Sequence, residues 1–436
     1  MAFKLETFQN RHLAPGQTRV DAIVTVTADS AVSTSVSQGG PLVVGFILDK
    51  SASMAGERLA SVKNAVSKAI MLLPESTSFF VVAFDSIAHL MCSDMVANER
   101  NKRAALAQLN AVQAFGGTAM SAGLATAKTV FKRFPNAIRQ AIFLTDGENA
   151  SETPEQVRGQ LKQSEGVFQC DCWGIGTDWR VGEVQEIAQA LLGKASLIPA
   201  PDGVEAAFQS AIEKATSKSL NDVRLRLWTP QTAKLIAVKQ VNPTIEELTS
   251  RARVIHPQVR DFLTGAWAAG ESRDFHLTIE VNPGHVGDEM LAARPSIVYM
   301  APAANGFEER EEKAPEGRVF ATWSQDVSLT SRIDRHVAHY TGQDELADAI
   351  QRGLELREQG NEAGATQLLG RAVKIAHDSR NTEMTSRLTK VVDVVDASQG
   401  TVRLRRSVDK AAAMDLQLES RTTKRVARKP SDGGAS

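Results

Sequence analysis

Between residues 41 and 218, short apolar runs alternate with segments whose apolar residues recur at helical spacing. The run LVVGFILD at 42–49 predicts a buried strand, and the segment 57–73 predicts an amphipathic helix. The same reasoning predicts strands at 78–84, 88–94, 139–146, 167–176 and 195–200. It predicts helices at 99–110, 120–134, 181–193 and 203–218, and a further helix that Thr153 caps and Pro154 begins.

This alternation indicates an α/β fold. Strands separated by helices form a parallel sheet, and the helices then cover both of its faces. We therefore expect residues 41–218 to form one domain with a doubly wound, mostly parallel, Rossmann-like sheet.

Strand patterns flank this domain on both sides. Residues 1–40 read as short N-terminal strands followed by a linker at 29–40 that is rich in Ser, Thr and Gly. Repeated short strands predict an antiparallel β-sandwich over 219–330, with an acidic loop at 303–318. The N-terminal strands should join this sandwich, because a lone hairpin is not stable by itself.

The chain becomes helical after the sandwich. Residues 344–357, 361–378 and 382–396 predict three helices within a helical region at 331–416. The last segment, 417–436, is polar and basic and predicts a disordered tail. Acidic residues dilute the basic charge near the C-terminus and no aromatic residues interleave with it, so a solvated tail is favoured over a nucleic-acid contact.

The amino-acid composition excludes few classes of function. The 436 residues are 42% hydrophobic and 23% charged, and their net charge of -1 gives no general attraction for nucleic acid or anionic membranes. Cys92, Cys170 and Cys172 are too few for a disulfide framework, and we expect them to be buried thiols in a reducing compartment. The chain shows no signal peptide and no apolar stretch near the roughly 20 residues of a membrane helix. We therefore expect a cytoplasmic protein.

Three short segments place oxygen-bearing side chains at one edge of the predicted sheet. Asp49-Lys50-Ser51-Ala52-Ser53 follows the first strand of the domain, and Gly116-Gly117-Thr118 lies in a loop before a helix. Thr145-Asp146-Gly147-Glu148 ends another strand. In an open α/β sheet, ligands bind at the carboxyl ends of the strands, where the strand order reverses. The candidate ligands are Asp49, Ser51, Ser53, Thr118 and Asp146.

The residue types at this edge favour a hard cation. Carboxylate, hydroxyl and water oxygens suit Mg²⁺, Ca²⁺ or Mn²⁺ and not Zn²⁺, and no Cys or His converges on these segments. The pair Gly116-Gly117 is predicted to adopt backbone conformations that other residues avoid, which would present Thr118 at the edge. Gly147 is predicted to do the same after Asp146.

The three segments resemble the metal-ion-dependent adhesion site of the von Willebrand factor A (VWA) family. The pattern of that family is D-x-S-x-S, followed by a distant Thr and a distant Asp, and all five positions occur here in that order. The resemblance covers about residues 41–218, two-fifths of the chain, and is closest to the bacterial stand-alone cytoplasmic type. Ala52 stands where family members often have Gly, a change that removes no ligand.

The resemblance implies a role for each candidate residue. Ser51 and Ser53 would bind the metal directly, and Thr118 would bind it directly in the ligand-competent state and through water otherwise. Asp49 and Asp146 would act mostly through water. The cation, Mg²⁺ or else Ca²⁺ or Mn²⁺, would then keep an open coordination position for the Asp or Glu carboxylate of a partner protein.

The expected function is therefore a non-enzymatic, metal-dependent protein-binding scaffold. The resemblance implies a bacterial stress-response or signalling complex and a partner such as a kinase, a phosphatase or an AAA-type ATPase. One alternative is a metal-dependent phosphohydrolase with Asp49 as its nucleophile, but such enzymes need a second Asp where Ser51 stands, and no general base is apparent. The other alternative is a structural subunit with a degenerate site, against which the complete ligand set argues.

Overall fold

A computed structural model describes residues 2–29, 41–149, 151–199, 204–303, 306–313 and 317–426. All five candidate ligands and the three cysteines lie within these ranges. Residues 30–40 of the predicted linker at 29–40 lie outside them, as does the last part of the predicted tail, 427–436.

The α/β domain follows three N-terminal strands, β1 to β3, at Phe3–Gln9, His12–Leu13 and Arg19–Ala28. Its strands β4 to β9 are Leu42–Asp49, Ser78–Phe84, Ala88–Val96, Ile138–Thr145, Gln169–Ile175 and Ala195–Ile198. Its helices α1 to α6 are Glu57–Leu72, Glu99–Asn110, Met120–Phe131, Pro154–Ser164, Val181–Ala190 and Val204–Ser217. A 3-10 helix at Ala52–Met54 precedes α1.

The six strands form one sheet in the order β6-β5-β4-β7-β8-β9. All neighbours are parallel except the edge strand β6, which runs antiparallel to β5. The predicted doubly wound, mostly parallel sheet is therefore confirmed. The chain passes from β4 to β5 on one side and returns to β7 on the other, so the strand order reverses beside β4. A ligand crevice is expected at the carboxyl ends of β4 and β7.

Both faces of this sheet are buried, because side chains alternate along each strand. Val44 and Phe46 face a core that helices α1, α2 and α6 cover, and Val43 and Ile47 face a second core under α3, α4 and α5. Strand β4 is apolar on both sides for this reason, and it is buried up to its last residue, Asp49. Cys92, Cys170 and Cys172 are buried, unpaired thiols in these cores, as expected.

The second part of the fold consists of two β-sheets. Strands β10 to β18 are Lys218–Trp228, Ala233–Asn242, Glu246–Glu247, Arg253–His256, Val259–Ala268, Ser272–Val281, Glu289–Ala303, Gly306–Lys313 and Val319–Trp323. One sheet has the order β1-β3-β15-β11-β12, and the other has the order β13-β14-β10-β16-β18-β2, with β17 paired to β16. Neighbouring strands are antiparallel except β2 and β18, which are parallel. Residues from both sheets form one apolar core, which the N-terminal strands help to complete.

Strand β14 was not predicted from the sequence. It contains Gly265, whose φ of 82° lies in the left-handed region. The register between β14 and β10 shifts next to the pair of Gly265 and Val223. Such a bulge breaks the two-residue alternation that identifies a strand in a sequence.

The prediction of an acidic loop at 303–318 was wrong for residues 306–313. These residues form β17, which pairs with β16 along its whole length. Glu309 accepts a hydrogen bond from Arg224 at 2.8 Å, and Glu311 accepts one from Arg226 at 3.2 Å. These two glutamates are paired with arginines of β10 that lie far away in sequence, which a local charge count could not show.

The C-terminal part contains helices α7 to α11 at Val327–Thr330, Arg335–Glu358, Glu362–Asp378, Thr382–Leu388 and Lys410–Glu419. The prediction of one helix over 382–396 was wrong, because α10 ends at Leu388 and strand β19, Val392–Asp396, pairs with β20, Thr401–Leu404. The run VVDVVD is rich in β-branched valines, which favour strands. No helix within the described ranges is long and apolar enough to cross a membrane.

The prediction of a disordered tail from 417 was wrong for residues 417–426. Helix α11 continues to Glu419, and Thr423 then donates a hydrogen bond to the carbonyl of Val241 at 2.6 Å. Arg425 binds the buried carboxylate of Asp274 through two hydrogen bonds. These partners lie in the two-sheet part, so the contacts of this segment depend on the tertiary structure and not on its composition.

Candidate metal site

Asp49 is the last residue of β4 and is completely buried. Its Oδ1 accepts a hydrogen bond from the backbone N–H of Ser51 at 2.8 Å, and its Oδ2 accepts one from Thr145 Oγ1 at 2.5 Å. The first bond bends the chain after the strand, and the second ties β4 to the end of β7. The Asp49 side chain therefore has one orientation at the crevice between the two strands.

The loop after Asp49 is fixed by the loop that carries Thr118. The N–H of Phe115 donates to the carbonyl of Lys50 at 2.8 Å, and the N–H of Ala52 donates to the carbonyl of Gly116 at 3.1 Å. Gly116 has a φ of 81°, as predicted, whereas Gly117 has no positive φ, so the prediction was wrong for the second glycine of the pair. These two backbone bonds bring the second predicted segment against the first.

Thr118 is nearly buried, with 5% of its surface exposed, and its backbone is held by a loop that the sequence did not single out. Its N–H donates to Ser151 Oγ at 3.1 Å, and its carbonyl accepts from the N–H of Ser151 at 3.2 Å. Ser151 follows the Asp146 segment in sequence, so the second and third predicted segments are joined directly.

Asp146 comes directly after β7 and is completely buried. Its Oδ1 accepts a hydrogen bond from Ser53 Oγ at 2.8 Å. The next residue, Gly147, does not have a positive φ, so the predicted reason for this glycine was wrong. A Cβ there would lie 3.2 Å from Ser53 Oγ and 3.6 Å from Thr118 Oγ1, so glycine at this position leaves room for the Ser53 hydroxyl.

The spacing of the oxygens fits a small octahedral cation. Ser51 Oγ lies 3.0 Å from Ser53 Oγ, which lies 2.8 Å from Asp146 Oδ1. Neighbouring ligands of an octahedral Mg²⁺, with bonds of about 2.0–2.1 Å, are about 2.9 Å apart. Asp49, Ser51, Thr118 and Asp146 are buried and Ser53 is exposed, so this group of oxygens opens to solvent beside Ser53. The types of donor and the spacing of these three oxygens therefore suit a hard divalent cation.

Electrostatics at this edge also favour a cation. Burial raises the pKa of Asp49 to about 6, against hydrogen bonds from Ser51 and Thr145 that lower it, and the nearby Asp146 raises it further. A carboxyl group that is hard to ionise when buried becomes easier to ionise beside a positive charge. A divalent cation would supply that charge.

Arg58 is a residue that the sequence analysis missed. It lies in the first turn of α1, and its NH1 donates to Asp146 Oδ2 at 2.6 Å while its NH2 donates to Asp178 Oδ2 at 2.7 Å. These two hydrogen bonds raise the pKa of Arg58. Neither the type nor the spacing of Arg58 matches a ligand pattern, so only the folded structure could connect it with Asp146.

Lys50 and Asp85 form a second missed feature. Asp85 follows β5, and its carboxylate forms an ion pair with Lys50, the residue between two candidate ligands. Both side chains are largely buried. Asp85 also accepts a hydrogen bond from the N–H of Ile87 at 2.9 Å. The pair is neutral as a unit, and it stabilises the loop without occupying the oxygens around Ser53.

Comparisons with known proteins agree with this architecture. A family model of the von Willebrand factor type A domain matches residues 43–197, and one of the von Willebrand factor type A C-terminal domain matches residues 374–420. A solved structure of a von Willebrand factor type A protein from Catenulispora acidiphila is 37% identical, with a TM-score of 0.89 over 98% of this chain and 97% of that chain. The chain belongs to the von Willebrand factor type A family. Proteins of this family often mediate protein interactions and are generally not enzymes.

Other relatives of the VWA chain are more distant. The ArnB paralog VWA2 from Sulfolobus acidocaldarius shares the fold, with a TM-score of 0.60 at 14% identity over 97% of this chain and 99% of that chain. An uncharacterized protein from Synechocystis is 28% identical over 50% of this chain and 53% of its own length. Human calcium-activated chloride channel regulator 1 is 32% identical over 37% of this chain and 18% of its own length. The match thus spans about half of the first curated relative and a smaller part of the second.

Proposed function

We propose that this VWA protein binds a partner protein through a divalent cation, with Mg²⁺ as the preferred ion. The cation would be held by Asp49, Ser51, Ser53, Thr118 and Asp146. The observation that carries the proposal is the row of oxygens from Ser51 Oγ through Ser53 Oγ to Asp146 Oδ1, with separations of 3.0 Å and 2.8 Å. This spacing supports ligation of one small octahedral ion.

Binding of a partner follows from the chemistry of the site. A bound divalent cation would offer a coordination position to an outside carboxylate. The two buried carboxylates come from the inner end of the site, where Thr145 orients Asp49, and the exposed hydroxyl of Ser53 lies at the opening. An Asp or Glu side chain of a protein could approach from this open side.

The proposal specifies the partner only by its chemistry, as a protein with an accessible Asp or Glu side chain. The family resemblance extends the proposal to a cytoplasmic bacterial stress-response or signalling complex that contains a kinase, a phosphatase or an AAA-type ATPase. Partner recovery would be compared in Mg²⁺ and in EDTA, with wild-type protein and Asp49→Ala as bait. Recovery that is equal in all of these conditions would contradict metal-dependent binding.

Metal binding can be tested without knowing the partner. We expect Mg²⁺ or Mn²⁺ to bind one site in a calorimetric titration of the wild-type protein, and Ser51→Ala to weaken this binding at least tenfold. Ser93→Ala, the same change on the edge strand β6, is the matched control and should bind like wild type. Absence of binding to the folded wild-type protein would refute the proposal.

A further inference from the structure

Arg58 divides the carboxylate of Asp146 into two oxygens with different roles. The guanidinium binds Oδ2 at 2.6 Å, and Ser53 Oγ binds Oδ1 at 2.8 Å. Oδ1 therefore lies in the row of oxygens at the site, and Oδ2 is bound by the arginine. Asp146 is completely buried, so its negative charge is offset mainly by Arg58 and not by water.

We propose that Arg58 sets the charge of the metal site, so that a bound divalent cation keeps a positive charge that an outside carboxylate neutralises. This inference rests on the proposed function. It assigns to Arg58 a positioning and specificity role that none of the five candidate ligands has. Arg58 would weaken the binding of the metal itself and strengthen the binding of the partner carboxylate.

The charges near the site support this. Asp49 and Asp146 together would cancel a divalent cation, and Arg58 adds one positive charge to that neutral set. The pair of Lys50 and Asp85 is neutral and leaves the balance unchanged. Glu152 is bound at the start of α3, where its Oε2 accepts the N–H of Ser121 at 2.9 Å, and the positive end of that helix partly offsets its charge.

Arginine is suited to this role. Its guanidinium is charged at every physiological pH, and its planar fork can hold two acidic groups at once. Here the second group is Asp178, whose side chain is 60% exposed, so water weakens its electrostatic effect on the site more than it weakens that of the buried Asp146. Gly176, with a φ of 71°, brings its backbone close to the guanidinium, and a Cβ there would lie 3.6 Å from NH2. The arginine is thus held in place beside Asp146.

The test compares two affinities in the same variants. Mn²⁺ binding is measured by the electron paramagnetic resonance signal of the free ion, and acetate binding to the Mn²⁺-loaded protein is measured by the loss of water proton relaxation as acetate displaces metal-bound water. In Arg58→Gln we expect Mn²⁺ to bind about tenfold more tightly and acetate about tenfold more weakly, because one nearby positive charge has been removed. Arg58→Lys keeps the positive charge, so its affinities for Mn²⁺ and for acetate should both stay close to those of the wild type.

The control is Arg180→Gln, the same change in an exposed ion pair with Glu148 at 3.0 Å. Both affinities should stay within about twofold of wild type, since exposed pairs are screened. Weaker Mn²⁺ binding by folded Arg58→Gln would overturn the inference and show that Arg58 only orients Asp146. Unchanged affinities would also overturn it. If the wild-type protein bound no Mn²⁺, the proposed function itself would be contradicted. The titration of the wild type therefore distinguishes that outcome from a failure of the inference about Arg58.

Discussion

Ser53 Oγ donates a hydrogen bond to Asp146 Oδ1 at 2.8 Å, although 93 residues separate them in the sequence. The bond joins the loop after β4 to the loop after β7, at the place where the strand order of the sheet reverses. Both loops are also fixed by bonds of their own, from Ser51 to Asp49 and from Thr145 to Asp49. The hydroxyl and carboxylate oxygens are therefore preorganised before any ligand arrives, which lowers the entropy lost on binding.

Gly147→Ala should separate metal binding from stability. The backbone at Gly147 does not need a positive φ, so alanine can adopt it. The added methyl group would lie 3.2 Å from Ser53 Oγ, closer than an ordinary contact, and would shift this hydroxyl, whereas its distance of 3.6 Å from Thr118 Oγ1 is an ordinary contact. We expect at least tenfold weaker Mg²⁺ binding by calorimetry, with a change of less than about 1 kcal/mol in the free energy of unfolding.

The control for this variant is Gly159→Ala, at a helical position in α4 where a Cβ would meet no other atom. It should bind Mg²⁺ like wild type and be more stable by about 0.5–1 kcal/mol, because alanine favours a helix over glycine. If Gly147→Ala bound the metal as well as Gly159→Ala does, the ligation by Ser53 would be contradicted.

Metal binding should depend on pH through Asp49. Burial raises the pKa of Asp49 to about 6 in the metal-free fold, above its ordinary value near 4. Below pH 6 the cation must therefore displace a proton, and Mg²⁺ affinity should fall about tenfold for each further pH unit. Calorimetry in two buffers with different ionisation enthalpies should show release of roughly three-quarters of a proton at pH 5.5 and almost none at pH 7.5.

The same shift has a defined effect on stability. The folded metal-free protein holds a proton on Asp49 more tightly than the unfolded chain does. The stabilisation from this group is complete below about pH 4 and is lost as the pH rises through about 6. Asp49→Asn should remove this component of the pH dependence in EDTA, which urea unfolding at pH 5 and pH 7 would measure. An unaltered pH dependence in Asp49→Asn would argue against a raised pKa.

The α/β domain could be predicted from the sequence because its signals are local. Strand β4 is apolar on both sides, and α1 has a regular helical repeat, so each element is visible in its own residues. The motif positions then follow from the ends of those strands. Four of the candidate ligands lie at the predicted edge because they end or follow β4 or β7, and the carboxyl ends of parallel strands share one edge. Thr118 lies in the loop before α3 instead, and its backbone is held there by hydrogen bonds with Ser151.

Features that depend on distant partners were not predictable. The glutamates of β17 indicate a solvated loop until Arg224 and Arg226 are placed opposite them. Arg58 is similar, because its link to Asp146 exists only across the folded crevice. Strand β14 was not predicted for a different reason: a bulge at Gly265 interrupts its alternation of inward and outward side chains.

Arg425→Ala tests whether the last described residues stabilise the fold. Asp274 is 3% exposed and accepts two hydrogen bonds from Arg425, at 3.1 Å and 2.9 Å, and others from Thr25 and Tyr340. Removing the arginine would leave a buried carboxylate without this cation, so we expect a loss of about 1–3 kcal/mol in urea unfolding. Arg310→Ala, which breaks an exposed pair with Glu308, should cost less than about 0.5 kcal/mol. Equal losses in the two variants would show that the segment around Arg425 adds no stability through Asp274.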